Sequence, residues 1–175
     1  MSTNTVMVFI CVTVILSSEV VAIESRMRLA TSQPAVKQNL PVNELELSYL
    51  PKSKSLFNVQ NLQWYPSYNL GSLNVADDSV LMAGASLGLA VGVTNSLYFF
   101  AEGGGVWLSE YQFGERGVAY KNYGGPLQFK TRLGIDYYIN KDWSMGYAYL
   151  HMSNGERYEV NPALNAHSVH LIYEF

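Results

Sequence analysis

From Leu127 to Ile139 the chain repeats every two residues: Leu127, Phe129, Thr131, Leu133, Ile135, Tyr137 and Ile139 alternate with Gln128, Lys130, Arg132, Gly134, Asp136 and Tyr138. That period belongs to a β-strand with one apolar face and one polar or small face. Ser79 to Val93 repeats the pattern, with Leu81, Ala83, Ala85, Leu87, Leu89, Val91 and Val93 on one side and Met82, Gly84, Ser86, Gly88, Ala90 and Gly92 on the other. Further strands are expected over Glu44–Tyr49, Leu56–Trp64, Leu97–Leu108, Asp142–Ser153 and Leu164–Phe175. The count is seven, or eight with a strand before Pro41. No stretch reads as a helix.

Alternation alone does not separate a soluble sandwich from a membrane barrel. The distribution of residue types does. Large apolar residues run continuously along one face, while the other mixes glycine with single charges such as Glu102, Arg132 and Asp136. Small residues and paired charges suit the crowded interior of a narrow barrel, and large ones suit lipid. Tyrosine and tryptophan gather near strand ends, as interfacial girdles require. The chain stops on an alternating strand with a terminal aromatic, Leu171-Ile-Tyr173-Glu-Phe175. The fold expected is all-β, an eight-stranded antiparallel transmembrane β-barrel.

The first residues stand apart. Val6 to Leu16 is an apolar run followed by Val20-Val-Ala22, small enough for signal peptidase, so residues 1–22 are expected to be a removed leader and 23–175 the barrel domain. The run is shorter than the roughly 20 residues a membrane helix needs. Cys11, the single cysteine, would leave with the leader, which excludes disulfides and a cysteine nucleophile from the mature chain. A formal charge of −3 offers nothing to nucleic acid.

One polar cluster interrupts this apolar pattern. On the strand ending at Ser153 the bulky, lipid-facing set is Trp143, Met145, Tyr147, Tyr149, His151 and Ser153, which puts an imidazole and a hydroxyl on the outside. Residues two apart on a strand lie about 6.6 Å apart, within reach of one hydrogen bond between leaning side chains. A serine so placed can be activated by the imidazole as general base. A third member usually holds the ring by its other nitrogen. On the last strand the outward set begins Asn165, His167, Val169; a hairpin turning near Tyr158 brings Asn165 beside His151. Glu102 and Arg132 fit an interior ion pair. His167 and His170 fall on opposite faces of one strand, so no metal site uses both. Gly103-Gly-Gly105 lacks the helix and lysine of a phosphate loop and is expected to let a strand bend.

The segment His151-Met-Ser153-Asn154-Gly155, with Asn161-Pro162 and the ending at Phe175, resembles the signature of the lipid A 3-O-deacylases of the PagL type, which are eight-stranded outer-membrane barrels. Phe100-Ala-Glu102-Gly-Gly104 and Leu127-Gln-Phe129-Lys-Thr-Arg132-Leu-Gly134 also resemble that family's strands. The resemblance implies a serine-type esterase of the bacterial outer membrane that removes the 3-position acyl chain of lipid A. His151 would be the base and Ser153 the nucleophile, facing lipid near the outer leaflet. Asn154 matches the motif's asparagine, and the backbone amides of Gly155 and Glu156 are candidate oxyanion donors. No cofactor or metal is implied; the partners implied are lipopolysaccharide and the outer-membrane lipids, and a homodimer is compatible with the pattern. Two positions depart from the family. Asn165 stands at the position equivalent to the glutamate that the family's best-studied triad has on its last strand, and Glu156 where a small residue is usual. Glu156 and Glu159 are the other acids near enough to be weighed as third member. The rival expectation is a small non-catalytic barrel of the OmpA or OmpW sort, acting as anchor, adhesin or narrow channel; a glycerophospholipid esterase is a further one.

Overall fold

The computed structural model describes residues 23–57 and 59–175, with Gln60 described by its backbone only. The expected leader lies outside the described residues. Eleven strands follow in order: β1 (Arg26–Pro34), β2 (Val42–Leu50), β3 (Lys54–Leu56), β4 (Val59–Val75), β5 (Asp78–Gly92), β6 (Leu97–Leu108), β7 (Gln112–Glu115), β8 (Ala119–Asn122), β9 (Leu127–Tyr138), β10 (Trp143–Ser153) and β11 (Leu164–Glu174). Eight of them, β1, β2, β4, β5, β6, β9, β10 and β11, close into one antiparallel barrel through the β1–β11 and β2–β4 pairings. Closure leaves no unpaired sheet edge facing lipid, the condition for a strand to cross a bilayer.

The strand expected over Leu56–Trp64 is corrected: Leu56 ends β3, and β4 begins at Val59 and runs on to Val75. Pro66, Asn69, Gly71 and Asn74 give the second half the look of a loop. Pro66 is tolerated because of where it falls. β3 pairs with β4 as far as Trp64, and β2 takes over at Tyr68, so Pro66 sits where that flank changes partner. A missing N–H there interrupts no ladder. β1 is the eighth strand that the polar stretch before Pro41 had left unplaced; its inward residues are Arg26, Arg28, Ala30 and Ser32.

The two faces divide as the alternation requires. Along β9, Gln128, Lys130, Arg132 and Asp136 are buried inside while Phe129, Leu133, Ile135 and Tyr137 are exposed outside. The interior is layered. Near the β10–β11 loop an apolar plug of Leu73, Val75, Met82, Leu108, Leu150, Met152 and Leu164 fills the cylinder. Below it Lys130 lies 2.6 Å from both Glu44 and Glu46, Arg132 lies 2.6 Å from Glu46, and Arg28 lies 2.8 Å from Glu102. Arg132 and Glu102, opposed in register, approach to 3.8 Å. Among the described residues the buried charges are four basic and four acidic, so the low-dielectric interior is balanced.

Longer loops gather at one end of the barrel: residues 35–41, 154–163 and, longest, 109–126, which contains the β7–β8 hairpin. Long loops mark the external end of outer-membrane barrels. Ser153 closes β10 at that end.

Candidate active site

The β10–β11 register pairs His151 with Asn165, and both project outward. His151 Nδ1 lies 2.8 Å from Asn165 Oδ1, and His151 Nε2 lies 3.2 Å from Ser153 Oγ. An amide oxygen can only accept, so Nδ1 carries the proton and donates it to Asn165. Nε2 is then left with a lone pair toward the Ser153 hydroxyl. All three residues are half-buried on the barrel's outer wall.

The turn after Ser153 is shaped by its backbone. Gly155 and Glu156 both have left-handed φ, +62° and +61°, and the Arg157 N–H donates to the Asn154 carbonyl at 3.2 Å. Two consecutive left-handed residues closed this way have the form of a type I′ turn. Gly155 takes this φ without strain, and a Cβ there would come within 3.0 Å of the Phe129 ring. Phe129 is the cross-strand partner of Ser153, so the turn folds over an aromatic floor beside the hydroxyl. Glu156 adopts the same φ without glycine's freedom, a strain on the order of 1 kcal/mol.

Asn154 and Asn161 hold this turn. The Asn154 N–H donates to Asn161 Oδ1 at 3.0 Å. Its side-chain amide donates to the carbonyls of Val160, at 2.6 Å, and Tyr123, at 3.1 Å. Asn154 is fully buried. It therefore ties the β10–β11 loop to the β6–β9 loop, and the amides of Gly155 and Glu156, just after Ser153, have no acceptor among the described residues. The tie through Tyr123 and the floor at Phe129 were missed in the sequence. Phe129 was recoverable, because outward parity and register place it opposite Ser153.

Neither acid weighed as third member takes that place: Asn165 occupies the Nδ1 side of His151. His167, one outward step below Asn165, receives or donates at Nδ1 with the Tyr147 hydroxyl at 2.6 Å and meets Tyr149 edge-on. His170 points inward to Asp136. At the rim, Lys121 bonds Gln38 Oε1 at 2.7 Å in a cavity that also reaches Val160 and Pro162, and burial pushes its ammonium below the usual lysine range.

No curated protein sequence matches the chain. Among solved structures, the crystal structure of the outer membrane enzyme PagL superposes with a TM-score of 0.61 at 17% identity, covering 86% of this chain and 99% of that one. The N-terminal β-barrel domain of Pseudomonas aeruginosa OprF gives 0.58 at 8% identity, covering 86% and 96%. A de novo designed transmembrane β-barrel gives 0.54 at 9% identity, covering 90% and 100%. Likeness at these identities carries the barrel and none of the chemistry. Sequence carries the rest: residues 42–174, from the start of β2 to the end of β11, match the family described as lipid A 3-O-deacylase (PagL). The chain belongs to that family of outer-membrane enzymes.

Proposed function

We propose that the chain hydrolyses the 3-position acyl ester of lipid A by serine catalysis. The supporting observation is the hydrogen-bonded series Asn165–His151–Ser153 on the wall that faces lipid. Ser153 Oγ attacks the ester carbonyl carbon as its proton passes to His151 Nε2. The oxyanion is received by the N–H groups of Gly155 and Glu156, a type of contact worth roughly 10²–10³ in rate. His151 then gives its proton to the departing sugar oxygen, leaving an acyl-serine. Water, deprotonated by His151, attacks the acyl carbon, releases the fatty acid and restores Ser153.

Asn165 fixes the tautomer and ring orientation without adding charge. The imidazolium that forms during the reaction is stabilised by an amide dipole where the family's best-studied triad has a carboxylate. Residues 1–22 are proposed to be cleaved as a leader; a mature amino terminus at Met1 would refute that.

The test is mass spectrometry of lipid A from cells expressing the wild type, Ser153→Ala or His151→Ala. Loss of one hydroxyacyl chain from the 3-position with the wild type alone supports the reading. Equal loss with Ser153→Ala removes the serine mechanism, and unchanged lipid A in every sample favours a non-catalytic barrel. Radiolabelled glycerophospholipid in parallel separates a phospholipid esterase.

A further inference from the structure

Arg157 closes the turn that follows Ser153, yet it forms no ion pair among the described residues. Its guanidinium lies 5.7 Å from the centroid of the Phe129 ring. Phe129 is outward and opposite Ser153 in register, and directly opposed side chains have Cβ atoms about 5 Å apart. Arg157 is therefore an exposed cation on the β9 flank of the hydroxyl, at the external end of the wall. The turn hydrogen bond to Asn154 sets its backbone, and the Phe129 ring lies beside its guanidinium. The nearby acids do not engage it: Glu156 and Glu159 are exposed and form no salt bridge among the described residues.

A guanidinium presents a planar fork of donors that matches phosphate geometry. At the boundary between hydrocarbon and headgroup, a cation with no ion-pair partner among the described residues is open to an anion. We propose that Arg157 is a specificity-determining residue that binds a phosphate monoester on the sugar headgroup of the substrate. The proposal rests on the lipid A reading above. Phe129 links the two groups: it stands opposite Ser153 in register and carries the Arg157 guanidinium 5.7 Å from its ring centroid.

The test compares phosphorylated with dephosphorylated lipid A in mixed micelles, using the wild type, Arg157→Met and Arg157→Lys. Arg157→Met retains an apolar stem over Phe129 and removes the charge, which separates recognition from packing. With phosphorylated substrate, KM is expected to rise about tenfold in Arg157→Met, or about 1.4 kcal/mol, with kcat within twofold. Arg157→Lys is expected to recover part of the loss, because it keeps the charge without the fork. With dephosphorylated substrate the three proteins should have equal KM. Millimolar inorganic phosphate should compete in the wild type only weakly; full competition would show a free-phosphate site rather than a headgroup site and overturn the proposal. An Arg157→Met protein with the same KM ratio for the two substrates as the wild type also overturns it. To keep this separate from the serine mechanism, the same substitution is made on Ser153→Ala and binding to phosphorylated and dephosphorylated lipid A nanodiscs is measured. A charge-dependent affinity difference that vanishes with Arg157→Met stands whichever residue proves to be the nucleophile.

Discussion

Two histidines on adjacent strands each share a hydrogen bond with a side-chain oxygen, and only one resembles a catalytic base. His170 on β11 points into the barrel, 2.6 Å from Asp136, with Phe100 edge-on to its ring. Gly146 makes room for this pair: a Cβ there would sit 2.3 Å from His170 Nε2. His151 on β10 points out, with an amide on one nitrogen and a hydroxyl near the other. By the usual shorthand of carboxylate plus imidazole, the inner histidine would be the better candidate. What sets His151 apart is the hydroxyl of Ser153 near its far nitrogen. In this barrel a carboxylate beside histidine serves charge balance in a closed interior.

The comparison breaks first at Ser153 and His151. Alanine at either position should lower kcat/KM by about 10³-fold or more with the unfolding midpoint unchanged. Next comes Asp136→Ala, which leaves His170 buried without its partner and unbalances the interior. It should lower unfolding free energy in urea by about 3–5 kcal/mol, with the folded fraction keeping wild-type kcat/KM. A loss of activity in that folded fraction would mean that the inner histidine takes part after all. Smaller effects belong to the third member. Asn165→Ala should lower kcat about tenfold, while the isosteric Asn165→Asp, which adds charge to the same geometry, should raise it by about tenfold through stabilisation of the imidazolium. If alanine has no effect, Asn165 does not hold the ring. The smallest effect is expected at Glu156→Gly, which relieves a left-handed backbone: a gain on the order of 0.5–1 kcal/mol in stability, read in the same urea titration.

How much of this could be read in the sequence depended on which face of a strand carried the signal. β9 and β5 were legible residue by residue because lipid and lumen impose opposite chemistry on alternate positions. The pairing of His151 with Asn165 followed from the same parity, once the turn was centred near Tyr158. β1 was obscure because its inward face carries Arg26 and Arg28, which reads as a polar linker until Glu102 is seen across the lumen from Arg28. The second half of β4 was hidden by Pro66 and its neighbours, since a break in the ladder is visible only when both flanking strands are known. The burial of Asn154 was likewise out of reach. Its partners are carbonyls of Tyr123 and Val160, and a main-chain acceptor leaves no mark on residue identity.

A nucleophile at Ser153, on the wall of a cylinder rather than in a water-filled cleft, would change what concentration means. Encounter becomes a two-dimensional search within one leaflet, so turnover should follow the surface mole fraction of the acylated sugar lipid. Diluting that lipid with inert detergent should slow the reaction even when its amount per millilitre is held constant.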